Sequence, residues 1–478
     1  MRRPLWAGSM AAPGMEEFLA QVDASKLFEA RGEVAVARAP ARLDLMGGVA
    51  DYSGSLVLQW PLREATFAAA QTAPTGRICI ASSGSPGPSA RMFDAALEDL
   101  FPGGKALSYE AARAWFAAEA SRSWAAYAAG PLLVLAQERG AGPRGISILV
   151  HSSVPEGQGV ASSAAIEVAV MLAVATALDI PLEPRDLALL CQRVENRIVG
   201  APCGVMDQMT ASCGRAHELL ALLCQPAEVQ GTIALPGDLE IWGLTSGVLH
   251  AVSGSPYTMA RVGAFMGARI LADLAGLSVS VGPGDATVRI VDPRWLGYLA
   301  NVTPEEFESE FAGRLPESIA GDEFLERYKG TADPVTRIDP ALTYSVLVPT
   351  RHPIYEHARI RRFSSLLRGP ATPDSRIELG RLMLESHRSY SACGLGSAGT
   401  DLLTRLVRES GPDFFGAKIT GGGSGGTVAV LGRRGADVRA IAEAYRAETG
   451  HAPWVFSGSS PGAGSLGSLR LGPSSPSP

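Results

Sequence analysis

The 478-residue chain predicts an α+β fold built as two lobes, on three observations. Strand-like runs of period two and helix-like runs of period near 3.6 both occur along its length. They do not follow the regular strand–helix alternation of a doubly wound parallel sheet. Hydrophobic residues make up 46% of the chain, enough for a large core or for two lobes around a cleft.

The elements follow in order. Residues 1–32 read as a peripheral tail with one short helix around residues 15–29. EVAVARA (33–39) and GISILVHSSV (145–154) read as strands. ASSAAIEVAVMLAVATAL (161–178) reads as a long helix, and DLALLCQRVENRIVG (186–200) as a second one closed by Gly200. LEIWGLTSG (239–247) and TYSVLVPT (343–350) read as strands. RIRRFSSLLRG (359–369) and RIELGRLMLESHRSYSA (376–392) read as helices. GTVAVLG (426–432) is a late strand and ADVRAIAEAYRAETG (436–450) a final helix. Residues 457–478 are mostly Ser, Gly and Pro and predict a disordered tail.

Composition excludes some classes. The formal net charge is −6, so no basic excess points to nucleic acid. Cys79, Cys191, Cys203, Cys213, Cys224 and Cys393 are irregularly spaced with no CxxC pair. They read as reduced structural thiols in a cytoplasmic protein. The apolar run at 164–180 is 17 residues long and holds Glu167 and Asp179, which suits a buried helix better than a membrane span. The first 15 residues lack a signal-peptide core; an organelle-targeting reading stays open there.

Three glycine-rich segments carry the chemistry. Residues 36–62 are apolar yet hold Arg42, Asp44 and Asp51 around Gly47 and Gly48. In VPEGQGVASSAAIEVAV (154–170) a strand leads through Pro155, Gly157 and Gly159 to Ser162, Ser163 and Ala164 at a helix start. Glycines let backbone N–H groups approach an anion, and the helix start adds unsatisfied donors. The two serines could cap the helix, or one could ligate a phosphate-bound metal; an ordinary capped loop is the alternative. No Gly-Lys-Ser/Thr follows, which excludes a Walker A loop, and the third glycine of a dinucleotide fingerprint is missing. AKITGGGSGGTVAVL (417–431) is the third loop.

These segments, in this order, resemble the motifs of the GHMP kinases (galactokinase, homoserine kinase, mevalonate kinase and phosphomevalonate kinase). Ala39, Pro40, Arg42, Gly47, Asp51 and Tyr52 match the first motif. Pro155, Gly157, Gly159, Ser162, Ser163 and Ala164 match the second. Lys418, Thr420, Gly421, Gly423, Gly425 and Gly426 match the third. VENRIVGAPCGVMDQ (194–208) resembles the galactokinase branch, and the segments 38–59, 328–360 and 386–401 resemble the kinase half of plant-type L-arabinokinases. In plant members a glycosyltransferase-like half precedes the kinase, so this chain reads as a free-standing kinase or as part of a longer protein. Ala41 stands where the family has glycine.

The resemblance implies a ribosomal S5 domain 2-like N-terminal lobe (33–243) and a GHMP C-terminal lobe (244–456), with ATP between them. It implies ATP and Mg2+, with ATP on Pro155, Gly157, Gly159, Ser162, Ser163, Ala164, Gly421 and Gly423, and the metal on Ser163 and Glu195. Asp207 becomes the catalytic base and Arg42 the stabiliser of transferring charge. Asp51, Gly48, Tyr52 and Tyr257 become sugar contacts. Galactokinases carry glutamate at the place of Gly48 and histidine at that of Val49, facing the carbon-6 hydroxyl. L-arabinopyranose has no such hydroxyl, so glycine avoids an unsatisfied acid and implies an L-arabinose 1-kinase. The alternatives are a galactokinase, a galacturonokinase, or a sugar- and ATP-binding sensor without catalysis. The partners implied are a small sugar and ATP, with no nucleic acid and no membrane. His352, His357 and His387 read as structural.

Overall fold

In the computed structural model, residues 12–83, 91–249, 255–282 and 287–473 are described. The first 11 residues, which bear on the targeting reading, lie outside them, as do residues 250–254. Helix α1 (Met15–Ala24) lays Met15, Phe18 and Val22 against the back of the first sheet. The strands of that sheet are β1 (Val34–Met46), β2 (Leu56–Ala73), β3 (Arg77–Ser83), β4 (Arg91–Ala96), β5 (Gly145–Ser152), β6 (Glu218–Leu223) and β7 (Glu228–Ala234). β2 is 18 residues long and serves three partners: it pairs with β1, while residues 66–73 pair with β5 and residues 56–59 with β6.

Helix α2 (Ala126–Arg139) and helix α3 (Ser162–Ala177) cover this sheet. α3 is apolar on nearly all sides, as a helix buried all round must be. Below it β1 and β2 present Ala37, Ala39, Ala68 and Ala70, small side chains that let the helix settle close to the strands. Helix α4 (Pro184–Arg193) runs into a π-helical turn (Val194–Val199) that Gly200 ends at φ 82°. Helix α5 (Met206–Cys213) follows.

The second sheet takes β8 (Leu239–Thr245), β9 (Phe414–Ile419), β10 (Thr427–Arg433) and β11 (Val455–Ser457) in the antiparallel order β9–β10–β8–β11. Helix α6 (Ser255–Leu274) packs with helix α7 (Leu347–Arg368) beside it. Helix α8 (Pro373–Ala392) packs on β9, while helices α9 (Ala398–Glu409) and α10 (Val438–Thr449) bury Leu403, Val407, Ile441 and Tyr445 on one face of this sheet. One core spans both sheets: Leu43 and Leu45 of β1, Ile241 of β8, Ala429 of β10, Phe363 of α7 and Leu382 of α8 belong to it.

Three expectations are corrected, and one departure from the family is explained. The lobe boundary at 243/244 falls inside β8, which belongs whole to the second sheet; the change of lobe precedes Leu239. The expected tail 457–478 is, over its described residues 457–473, not free: β12 (Ser468–Leu471) pairs with β1 from Val34↔Leu471 to Ala37↔Ser468. Ala463, Leu469 and Leu471 are buried, and a few apolar side chains on an unpaired strand edge outweigh a polar composition. Only Thr343–Ser345 of TYSVLVPT is strand, and α7 begins at Leu347. Ala41 lies in extended β1, so replacing glycine there carries no left-handed strain.

The sheets are also joined by a buried ion pair. Lys418 of β9 and Asp44 of β1 are both fully buried, with Nζ 2.7 Å from Oδ2. Asp44 further accepts from Gln59 Nε2 (2.6 Å), Gly48 N (2.9 Å) and Tyr390 Oη (3.3 Å); Lys418 donates to the Ile419 carbonyl (2.6 Å). Removing one partner of such a pair strands the other charge. Lys418→Met is therefore expected to cost about 3–5 kcal/mol in urea unfolding, while Asp44→Asn with Lys418→Met should cost less than the two single changes summed. A Lys418→Met midpoint equal to the parent's would show that the pair does not hold the lobes together.

Candidate active site

The site is assembled where β1 changes register. Pairing with β2 slips between Pro40 and Arg42 and again between Asp44 and Met46. Proline has no N–H to give the ladder, and a bulge is where a strand tolerates it. Past the slip, the Arg42 backbone N–H leaves the sheet and donates to the Val160 carbonyl (3.1 Å). Its guanidinium donates through Nη1 to the Gly159 carbonyl (2.7 Å) and makes a two-pronged pair with Asp207: Nε to Oδ1 at 2.9 Å and Nη2 to Oδ2 at 2.8 Å. Arg42 is 3% exposed and Asp207 22%, so the carboxylate is held from behind and open in front.

The second and third glycine loops meet backbone to backbone. A Cβ on Gly421 (φ +70°) would lie 2.7 Å from the Gly159 carbonyl, and one on Gly426 (φ +75°) 2.8 Å from that of Gln158. Only glycine permits both the conformation and the approach. Thr427 Oγ1 ties the two loops by donating to the Gln158 carbonyl (2.7 Å). Ala161, at φ 63°, turns the chain into α3. Ser162 and Ser163 occupy the first turn of α3 and do not cap it; the Ser163 hydroxyl bonds to Glu195.

A cavity lies between these loops. Arg42, Asp51, Gly157, Gly159, Ser162, Ser163, Glu195, Asp207, Tyr257 and Gly421 of the expected residues are on its wall. Gly48, Tyr52, Pro155, Ala164 and Gly423 are not. Ala164 is wholly buried behind the wall. Tyr52 stands behind Tyr257, rings edge to face with centroids 6.0 Å apart, and the Arg261 guanidinium lies 5.1 Å from its ring centre. It braces the wall and does not form it. At Gly48 a Cβ would lie 1.9 Å from Tyr390 Oη and 2.4 Å from Asp44 Oδ2, so the space a side chain would need is already filled. Val49 takes its place on the wall, and it does so at φ 60°, a strained conformation for a β-branched residue.

The carboxylates differ in environment. Asp51 is 5% exposed and lies against Gly204, where a Cβ would be 1.6 Å from its Oδ2. Burial, with the nearby charge of Asp207 adding to it, pushes Asp51 up to about 6, although it accepts the Tyr52 N–H at 2.9 Å. Glu195 is 3% exposed; burial pushes it up to about 7 against the bond from Ser163. Gln208 Nε2 bridges Glu195 Oε2 (2.5 Å) and Glu167 Oε2 (3.2 Å). Glu167 is fully buried and pushed well above the carboxylate range, first by burial and then by Glu195. Gln208, Gly204 and Tyr390 were not singled out from the sequence. Glu167, an acid in an otherwise apolar helix, was a visible signal; Tyr390 gave none, because only the packing of α8 on β9 brings it to the first motif.

Comparison with known proteins agrees with this geometry. Residues 126–215 match the family description "GHMP kinases N terminal domain" and residues 374–451 match "GHMP kinases C terminal". The chain is 45% identical to an L-arabinokinase of Arabidopsis thaliana over 94% of its own length and spans 48% of that relative. It is 29% identical to a galactokinase of Chloroflexus aggregans, over 87% of this chain and 89% of the relative. The fold superposes on Lactococcus lactis galactokinase complexed with galactose at a TM-score of 0.71 and 17% identity, covering 94% of this chain and 99% of the other. The three glycine loops, their order and both matched domains place the chain in the GHMP kinase family.

Proposed function

We propose that the chain transfers the γ-phosphoryl group of ATP to the anomeric hydroxyl of L-arabinose, giving L-arabinose 1-phosphate and ADP. The observation that carries this is the Arg42–Asp207 pair: a carboxylate fixed from behind by both prongs of a guanidinium, open toward a cavity between two glycine loops. The sugar enters against Asp51, Tyr257 and Val49, and its anomeric hydroxyl gives its proton to Asp207 as it attacks. The triphosphate lies on the N–H groups of the loop at 157–163 and the start of α3. Arg42, beside both, balances charge on the group in flight.

Ser163 and Glu195 suit Mg2+. They offer one hydroxyl and one carboxylate, hard oxygens that share the cavity wall. Among the described residues no three His, Cys, Asp or Glu side chains form a closed cage, and magnesium keeps several waters and takes phosphate oxygens in such sites. When bound, the ion would neutralise phosphate charge.

The pentose preference rests on the filled space at Gly48. The wall there is the apolar Val49, backed by Tyr390 and Asp44, and offers no polar group for a carbon-6 hydroxyl. Arg42 is the one cation among the described wall residues and sits with Asp207 at the anomeric end in this reading, so a carbon-6 carboxylate finds no partner either. The 45% identity to an L-arabinokinase supports the same choice.

Coupled ADP release with Mg-ATP and equal concentrations of L-arabinose, D-galactose and D-galacturonate tests this reading. L-arabinose should give the highest kcat/KM, and Asp207→Ala should lower kcat by at least about 100-fold with ATP binding retained. Faster turnover of galactose would overturn the substrate, and full activity of Asp207→Ala would overturn the base. Gly48→Glu alone should inactivate the protein and not convert it to a galactokinase, because Tyr390 and Asp44 block the new side chain.

Asp51 gives a stability test. Its raised pKa means that between about 4 and 6 the folded state keeps a proton that the unfolded chain releases. Stability therefore falls as pH rises through that window, by on the order of 3 kcal/mol. Asp51→Asn keeps the acceptor for the Tyr52 N–H and removes the buried charge. At pH 7.5 it should melt at a higher temperature than the parent while losing sugar turnover. A lower Tm would show that the buried charge carries no such cost.

A further inference from the structure

The second half of α7 carries a polar row that the site above leaves unused. His357, Arg361, Ser365 and Arg368 recur at steps of four, four and three residues, which puts them on one helical face. That face is one wall of an open groove of about 640 Å³, closed on the other side by the ends of β2 and β6 with Gln230 and Asn301. No carboxylate among the described residues lines it. Among the described residues neither Arg361 nor Arg368 has an acidic partner within ion-pair distance, whereas Arg359 and Arg362 of the same helix are paired with Glu356 and Glu378. In a chain of net charge −6, this groove thus gathers two guanidiniums without counter-charge.

Two of these donors are held in place. Arg368 Nη1 donates to Ser364 Oγ of the preceding turn. His357 Nδ1 accepts the Leu56 N–H at 3.0 Å, which leaves the ring proton on Nε2. Burial, helped by Arg361, lowers the ring pKa to about 4, so it stays a neutral donor at physiological pH. Guanidinium, imidazole N–H, hydroxyl and amide groups together match an anion with several acceptor oxygens. The groove's volume is that of a small-molecule site.

We propose that this groove binds a small phosphate-bearing metabolite, with the phosphoryl group between Arg361 and Arg368 and the remainder toward Gln230 and Asn301. The groove adjoins the sugar site from behind. Leu56, on its wall, closely follows the turn Asp51–Ser53. Gln225 Nε2 links Gly54 O (2.7 Å) to Asn301 Oδ1 (2.8 Å). An occupant thus bears on the segment that carries Asp51, and its binding should move the KM for sugar more than that for ATP. The binding itself does not depend on which sugar the enzyme takes.

The test is titration calorimetry on the full chain, with the active site first saturated by a non-hydrolysable ATP analogue and magnesium. Inorganic pyrophosphate and ribose 5-phosphate are the probes, and a 12-nucleotide single strand is the polyanion control. The expected result is one saturable site per chain for at least one small phosphate, weakened at least tenfold in Arg361→Ser/Arg368→Ser, whose basal turnover is unchanged. Arg361→Glu alone, a surface change, should abolish the same event and covers the case of a poorly folding double variant. No saturable event, or one that both variants leave unchanged, overturns the proposal. Binding of the oligonucleotide alone overturns it in favour of a polyanion surface.

Discussion

The constraint on which the site depends is the two-pronged pair between Arg42 and Asp207. One guanidinium meets a carboxylate on α5 and a carbonyl of the second glycine loop, while its own backbone N–H holds the next carbonyl of that loop. Three pieces of chain far apart in sequence are thereby set by one residue. A lysine would carry the same charge without the planar fork that fixes the angle of the carboxylate. The β1 bulge at Pro40 is the local reason this residue can leave the ladder and serve the loop.

Around that pair the fold tolerates features that cost stability elsewhere. Two glycine loops touch through their backbones, leaving no room for a Cβ at Gly421 or Gly426. Val49 is strained at positive φ, and Asp51, Glu167 and Glu195 are buried acids whose charged forms are penalised. The Lys418–Asp44 pair and the core shared by both sheets hold these elements at fixed distance. Asp44 is thus central to the site without reaching the cavity: it positions Gly48 and Tyr390, which in turn define the wall at Val49.

Much of this was legible in the sequence, because the loops that bind anions need glycines at set spacing and announce themselves. Period located α3, period and caps located α10, and Gly200 and Gly450 end their segments in left-handed conformation as their positions imply. What was not legible depends on long-range packing. Polar composition hid β12, since three buried apolar residues among serines and glycines leave no periodic signal. Tyr52 and Gly48 sit within the first motif yet turn away from the cavity, because a motif gives residue types and not the direction in which a side chain points. Lys418 was seen as part of a glycine loop; only the pairing of β9 reveals that its ammonium is spent on Asp44.

The most direct test of the account is a rapid-quench single turnover of Arg42→Lys with Mg-ATP and L-arabinose. If the fork geometry organises the site, phosphoryl transfer should slow by about 100-fold or more while ATP affinity stays near the parent's. Transfer at the parent rate would contradict the central claim, because charge alone at position 42 would then suffice.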